Sequence, residues 1–317
     1  MVKVKDSIFG SRWERRLFTA LESAWPGKLD IYPNLPWLNV FDWSGLKVGV
    51  GERSFLKATS IDYTVCLHGS EKPLMSVEFD GLGHGYNCGS QYRQVAQTGD
   101  PYRADKLSLK LRIAEQLGYP FFVVSYDEAG DLVDDDKVNI THGIVGGCMT
   151  SVHMQAAIDE RVNEIKAQNF TESEEEDLFQ NVVIDVETEL EFEWNPLIRA
   201  AACAMSDAFD AGMKSYSSCG LTDPPLPSPP LLGAWQVGDA ETIRKRVEMM
   251  FSARRHGARI TAEGNGLSIT KETWVRNIEG PGVLGFGIAD DVAKLLTFRE
   301  FTRVAGKPVQ NRHWGGQ

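Results

Sequence analysis

The sequence predicts a mixed α/β fold. Three features of its first part indicate this class: an amphipathic helical pattern, two β-rich runs that can pair as a hairpin, and a continuous apolar run after a second helix. The chain has 317 residues, of which 42% are hydrophobic and 24% are charged. These proportions are close to those of globular proteins, and the length suffices for one large domain or two ordinary ones.

The first predicted element is a helix over residues 11–25. In SRWERRLFTALESAW a tryptophan or leucine recurs every four residues from Trp13 to Trp25, which is the spacing of one helix face. Pro26 ends the pattern. The following segment, KLDIYPNLPWLNVF, predicts a short strand and a turn.

Two strands, a helix and a third strand are predicted next. The runs SIDYTVCLH and LMSVEFDG are rich in β-forming residues, and GSEKP between them has the turn residues of a hairpin. A glycine-rich polar stretch, 81–101, separates them from the helical pattern RADKLSLKLRIAEQLG, in which Gly118 is the expected C-cap. FFVVS is typical of a strand buried on both faces. Residues 11–127 therefore predict the order α–β–β–β–α–β.

The composition changes after a first predicted domain of residues 1–130. Residues 131–221 predict an acidic, mostly helical extension, in which an Asn-Pro pair opens one helix. The segment 222–233, TDPPLPSPPLLG, is proline-rich and predicts an extended linker or crossover. Residues 234–317 predict a helical or mixed region that serves substrate recognition or assembly.

Charge and cysteine content restrict the class of protein. Lys plus Arg number 33 against 44 Asp plus Glu, a net charge of −11. An acidic chain does not attract polyanions from a distance, which argues against a strongly basic DNA-coating protein but not against an enzyme whose acids hold metal ions. The five cysteines form no C-x-x-C pair, which favours free thiols in a reducing compartment. With no recognisable signal sequence or membrane span, a soluble cytoplasmic protein without a membrane partner is expected.

Acidic residues gather at the predicted hairpin. Glu78 and Asp80 end its second strand and share a face, because side chains alternate along a strand. Asp62, in the first strand, reaches that face only if the hairpin register allows it. Lys106 and Lys110 lie one turn apart on the next helix. Neighbouring carboxylates raise each other's pKa, so a hard divalent cation such as Mg²⁺ or Mn²⁺ is the expected resident, with a lysine that orients water or stabilises charge.

In this order the residues resemble the core of the PD-(D/E)XK (restriction-endonuclease-like) nuclease superfamily. The similarity is to the branch with an E-x-D-G motif, which is related to very-short-patch-repair-type endonucleases and uncharacterised restriction-like domains. It covers roughly residues 11–127. The first helix carries a glutamate, Glu14, and the second core strand carries an aspartate, Asp62. The motif E-x-D-G-x-x-H ends the third strand and comprises Glu78, Asp80, Gly81 and His84. A helix with Lys106 and Lys110 then leads into G-x-P.

The resemblance implies a restriction-endonuclease-like core, with a central mixed sheet flanked by helices and a mainly helical C-terminal region beyond it. It implies a metal-dependent nuclease that hydrolyses phosphodiester bonds, with nucleic acid as partner and DNA favoured over RNA. Asp62, Glu78, Asp80 and the Phe79 carbonyl are then the metal ligands, and Glu14 with Lys106 or Lys110 completes the catalytic set. In the stretch after the third strand, His84, Gln91 and Arg93 are the expected nucleic-acid contacts.

One departure from the family pattern keeps a second hypothesis open. The lysine of the E-x-K form is absent, because Asp80 occupies its place. The catalytic lysine has to come from the helix, and the sequence does not decide between Lys106 and Lys110. A non-catalytic nucleic-acid-binding or scaffold protein with a degenerate nuclease core fits the same residues. The acids could equally end a solvated strand, and the lysines could form the wet face of a helix. A homo-oligomer or a larger complex is compatible with either function.

Overall fold

The computed structural model describes residues 9, 12–42, 48–80, 83–86, 92–94, 103–125, 134–168, 172–223, 255–276, 279–280 and 283–306. The chain divides into two compact units. Unit one comprises Met1–Asp131, Thr222–Arg255 and Arg276–Gly280, and unit two comprises Leu132–Leu221, His256–Val275 and Pro281–Gln317. Unit two thus combines residues from both sides of the predicted linker, 222–233.

Unit one is built on four strands: β1 (Leu29–Pro36), β2 (Ser60–Leu67), β3 (Pro73–Asp80) and β6 (Phe121–Ser125). They form one sheet in the order β1-β2-β3-β6. The first three strands are antiparallel neighbours, whereas β6 runs parallel to β3. This mixed sheet confirms the predicted α/β class with a central mixed sheet, and the predicted hairpin is the β2–β3 pair.

Four helices of unit one accompany this sheet: α1 (Arg12–Ala24), α2 (Trp37–Val40), α3 (Val50–Lys57) and α4 (Arg103–Gln116). Helix α4 lies in the crossover that parallel pairing of β3 and β6 requires. It ends at Gly118, which has a positive φ of 61°. The Tyr119 amide donates to the Ala114 carbonyl at 2.9 Å, which is the bond of a Schellman motif. The prediction of Gly118 as the C-cap is confirmed.

Two parts of unit one differ from the sequence prediction. No strand was predicted in the glycine-rich stretch 81–101, which contains a separate antiparallel pair, β4 (Gly83–Tyr86) and β5 (Tyr92–Gln94). Helices α2 and α3 were not predicted either. β1 contains Pro33 and Pro36, and it tolerates both because it is an edge strand.

The two faces of the sheet are covered by different helices. A core cluster joins α4 to the sheet through buried apolar side chains that include Ile113, Phe121 and Val123. On the other face, the Tyr63 hydroxyl donates a hydrogen bond to the backbone carbonyl of Glu14 in α1. Because side chains alternate along β2, the neighbours of Tyr63 in this strand point towards α4.

Unit two contains four helices and a three-stranded sheet. The helices are α5 (Asp134–Ala167), α6 (Glu172–Trp194), α7 (Pro196–Asp210) and α8 (Gly285–Val304). The strands of the sheet follow in the order β7 (Ser215–Asp223), β8 (Arg255–Gly264) and β9 (Leu267–Arg276). Two further short strands among the described residues are β10 (Glu279–Gly280) and β11 (Val283–Leu284). Asn195 caps α7 by accepting bonds from the amides of Leu197 and Ile198, which confirms the predicted Asn-Pro helix start. Within the described residues, no helix is both long and apolar enough to cross a membrane.

A charged cluster in unit two gives one stability prediction. Burial raises the pKa of Asp291 to about 7, and the negative charges of Asp290 and Glu191 act in the same direction, while the Lys294 ammonium opposes them. An acid whose pKa is raised on folding binds more protons in the folded state. Its stabilising contribution is therefore complete below about pH 4 and is lost as the pH rises through about 7.

We expect Asp291→Asn to remove this part of the pH dependence. The free energy of unfolding of the wild type should fall from pH 5 to pH 8 more steeply than that of the variant. Urea unfolding followed by circular dichroism at both pH values measures the difference. Asp185→Asn, at an exposed position of α6, is the control, and the prediction is wrong if the two variants have the same pH dependence as each other.

Candidate metal centre

The two acids of the hairpin lie on opposite strands at the same level. In the observed register Tyr63 pairs with Val77 and Thr64 with Ser76. The same register, continued by one residue, sets Asp62 opposite Glu78. Directly opposed side chains of an antiparallel pair have Cβ atoms about 5 Å apart and point to the same face. The register therefore meets the condition on which the predicted Asp62–Glu78 pair depends.

Lys110 fixes Glu78 from the helix above the sheet. Its Nζ donates to Glu78 Oε1 at 2.7 Å and to the Ser60 carbonyl at 2.8 Å. Lys110 is only 3% exposed, and the Glu78 side chain is 14% exposed. A single buried ammonium thus joins α4, the start of β2 and the end of β3.

Lys106 has different surroundings, although it lies only one turn before Lys110. Its Nζ is 5.6 Å from the centre of the Phe55 ring, over the ring face. Phe55 belongs to α3. The sequence did not decide which lysine contacts the acids, and the structure distinguishes them. Lys110 contacts Glu78, and Lys106 contacts the Phe55 ring.

A line of hydroxyl groups continues the polar strip along the same face. Thr64 and Ser76 are opposed, and their hydroxyl oxygens are 3.2 Å apart. The Ser76 hydroxyl also lies 3.0 Å from the Tyr119 hydroxyl. Thr64 and Ser76 are both fully buried, so these bonds satisfy polar groups that have no access to water. They hold the register on which the position of Asp62 and Glu78 depends.

Glu14 approaches the sheet from the other face. Its carbonyl accepts the Tyr63 hydroxyl hydrogen bond. Burial raises the pKa of Tyr63, and the negative charges of Asp62 and Glu14 raise it further, so the phenol stays protonated. Both carboxylates are thus close enough to influence one hydroxyl. The structure brings Glu14 to Tyr63, one residue along β2 from Asp62.

The remaining predicted site residues follow Glu78 along the chain. The backbones of Phe79 and Asp80 complete β3, where they pair with Val124 and Ser125 of β6, but their side chains lie outside the described residues. His84 is in β4 and Arg93 in β5, again with the backbone alone described, and Gln91 lies outside the described residues. The β4–β5 hairpin contacts α4 and β6.

Known proteins offer no further guide to this site. A scan against protein-family models and searches of curated proteins and of solved structures find no match to this chain.

The described donor atoms fit a hard divalent cation. Asp62 and Glu78 supply two carboxylates on one face, and carboxylate oxygens are the ligands that Mg²⁺ and Mn²⁺ prefer. Among the side chains that the structure describes, no three of His, Cys, Asp and Glu are grouped as a metal site. Two carboxylates still suit Mg²⁺, which keeps several waters and uses one or two protein carboxylates together with substrate phosphate.

Sequence reasoning missed three contributors to this site: the Ser60 carbonyl, the Tyr63 hydroxyl and the buried Thr64–Ser76 pair. A signal for the pair was present. Polar residues alternate at Ser60, Asp62 and Thr64 in one strand and at Ser76, Glu78 and Asp80 in the other. Two such alternations across one hairpin indicate a single polar strip on one face. No sequence signal indicated that Lys110 would bond a backbone carbonyl.

Proposed function

We propose that this protein is a metal-dependent nuclease with a restriction-endonuclease-like core in residues 1–130. The observation that supports this most is the position of Asp62 opposite Glu78, with the Lys110 ammonium 2.7 Å from Glu78. Two carboxylates beside a cationic group are what metal-assisted hydrolysis of a phosphodiester needs. DNA is favoured over RNA through the family resemblance alone, which is an argument by fold analogy.

The chain's own groups have separate tasks in this proposal. Asp62 and Glu78 hold the metal ion, and their opposed positions fix the direction from which a phosphate can approach. Lys110 orients Glu78 by bonding one of its oxygens and places a positive charge where the phosphate becomes more negative during the reaction. The bound metal ion supplies an activated water and stabilises charge on the phosphorus. Lys106 lies over the Phe55 ring, so Lys110 is the lysine to which we assign this task.

Asp80 is proposed as a further ligand, and calorimetry tests it without reference to activity. We expect Asp80→Ala to weaken Mn²⁺ binding, measured by isothermal titration in the absence of nucleic acid, because a carboxylate ligand is lost. Glu71→Ala, in the exposed turn between β2 and β3, should bind Mn²⁺ like the wild type. Equal Mn²⁺ affinities for the wild type and Asp80→Ala would remove Asp80 from the metal site.

A non-catalytic nucleic-acid-binding or scaffold function is the second candidate. One observation favours it: the buried Lys110 ammonium already neutralises Glu78 without any metal. A protein that had lost its metal ion would keep its core intact through such a pair, because a lone buried carboxylate is costly. The presence of Asp80 where the family has a lysine also favours a non-catalytic function.

Incubation of the full chain with single- and double-stranded DNA and RNA separates the two candidates. We expect cleavage of at least one substrate in Mg²⁺ or Mn²⁺, and none in EDTA. If all four substrates stay intact under every condition, the nuclease proposal fails and the binding or scaffold function remains.

A further inference from the structure

Helix α1 carries an unusual concentration of positive charge for so acidic a chain. Arg12, Arg15 and Arg16 are all exposed, in a protein whose net charge is −11. They lie on one side of the helix, away from the buried Leu17 and Leu21. We call these three residues the arginine face.

Intramolecular ion pairs among the described residues do not account for two of these arginines, Arg12 and Arg15. In the part of the chain that the structure describes, neither Arg12 nor Arg15 is paired with a carboxylate. Cations in the first turns of a helix also oppose the helix dipole, so they do not stabilise α1. The one acid of the first turn, Glu14, lies towards the sheet, where its carbonyl accepts the Tyr63 hydrogen bond.

The topology of unit one places the arginine face at the same end of the sheet as the candidate metal centre. Leu29, at the start of β1, pairs with Leu67, and Pro36 pairs with Ser60. Helix α1 ends only a short turn before Leu29, so its C-terminus lies at the Leu67 end. Its N-terminus therefore points to the Ser60 end, and the bond from Tyr63 to Glu14 fixes that placement. The arginines thus lie at the same end of the sheet as Asp62 and Glu78, on the face that α1 covers.

The spacing of the arginines matches the charge density of a nucleic-acid duplex. Arg12 to Arg16 is four residues, or about 6 Å along the helix axis. A DNA duplex carries one phosphate charge per about 1.7 Å of its axis, and each strand alone about half that density. Three positive charges that are anchored along about 6 Å of helix axis therefore match the charge density of a double strand more closely than that of a single strand.

We propose that the arginine face is a docking surface for the phosphate backbone of double-stranded DNA at the end of the sheet that carries the metal centre. The inference rests on the proposed function, because it assumes that the carboxylate end of the sheet meets nucleic acid. Docking here is independent of base sequence, since arginines that contact phosphates read charge and not base edges. It would let a protein of negative overall charge bind a polyanion through one local surface.

Salt-dependent binding tests the proposal without any cleavage. The full chain is titrated against a short fluorescein-labelled DNA duplex in EDTA, over a series of NaCl concentrations, and binding is followed by fluorescence anisotropy. Each phosphate contact that is lost makes the plot of log affinity against log salt shallower by about 0.9. We expect the double variant Arg12→Gln/Arg15→Gln to have a slope that is shallower by about 2 than that of the wild type.

A matched double variant controls for the change in net charge. Lys28 precedes Leu29, and Lys72 precedes Pro73; both lysines are exposed and lie at the Leu67 end of the sheet. Lys28→Gln/Lys72→Gln should keep the wild-type slope. Equal slopes for the two double variants, or a wild type that does not bind the duplex, would overturn the proposal. Cleavage is measured separately, so loss of the arginine-face proposal in this binding test leaves the nuclease proposal standing.

Discussion

Glu78→Gln is expected to lower the rate of Mn²⁺-dependent phosphodiester cleavage by at least about 100-fold. Glutamine keeps the shape of the side chain and a carbonyl oxygen for Lys110, but it removes the charge that holds a metal ion. Metal-assisted catalysis contributes several kcal/mol, and each loss of about 1.4 kcal/mol slows a reaction tenfold. Asp62→Asn removes the opposed carboxylate and should have a similar effect. Initial rates on a labelled DNA substrate measure both.

The matched control for this prediction is Glu71→Gln. Glu71 is exposed in the β2–β3 turn, at the other end of the hairpin from Glu78, and the variant should cleave at the wild-type rate. Circular dichroism of each variant shows whether the fold is retained. If both Glu78→Gln and Asp62→Asn cleave at the wild-type rate, the Asp62–Glu78 pair does not take part in the cleavage reaction.

The four strands of the main sheet of unit one could be predicted because their signals are local. One hairpin of unit two that was not predicted also has a local signal. FFVVS is an unbroken apolar run and matches β6 (Phe121–Ser125). Strands β8 and β9 were not predicted, although Asn265 and Gly266 stand between them. Both residues have positive φ, 50° and 73°, which is the signature of a type I′ turn, and Asn-Gly is its preferred sequence.

Other elements depend on contacts between residues far apart in the chain. Helix α2 has four residues and α3 has eight, too few for a periodic pattern to be recognised or for an isolated helix to be stable. Trp37, at the start of α2, is completely buried and contacts Phe41 and Phe121. Such a short helix forms because its side chains pack in the core, and the spacing of residues in the sequence does not reveal that packing.

The candidate site also depends partly on local patterns, which the sequence shows, and partly on contacts between distant residues, which it does not show. Alternation along the strand was enough to predict that Glu78 and Asp80 share a face, whereas the partner of Asp62 depended on the register of the hairpin. Lys106 and Lys110 have the same spacing and the same chemistry in the sequence. Only the packing of α4 on the sheet, with Ile113 buried in the core, directs Lys110 towards Glu78.

Lys110→Met is expected to lower the free energy of unfolding by about 3 kcal/mol in the absence of metal. The substitution leaves Glu78 in a mostly buried position without its cation, and it also removes the bond to the Ser60 carbonyl. Breaking a buried ion pair from one side costs several kcal/mol because the remaining charge is uncompensated. Lys106→Met, one turn away, leaves the Lys110–Glu78 pair intact, loses a cation–π contact and should cost less than Lys110→Met. Urea unfolding in EDTA measures both.

A metal ion that binds Glu78 should compensate for the missing ammonium. Any ligand that binds only the folded state raises the free energy of unfolding by mass action. Mn²⁺ should therefore stabilise Lys110→Met more than the wild type, in which Lys110 occupies one oxygen of Glu78. The double variant Lys110→Met/Glu78→Gln should be more stable in EDTA than Lys110→Met, because no buried charge remains, and Mn²⁺ should stabilise it least. If Mn²⁺ stabilises all three proteins equally, Glu78 does not bind the metal ion, and Lys110 serves the fold alone.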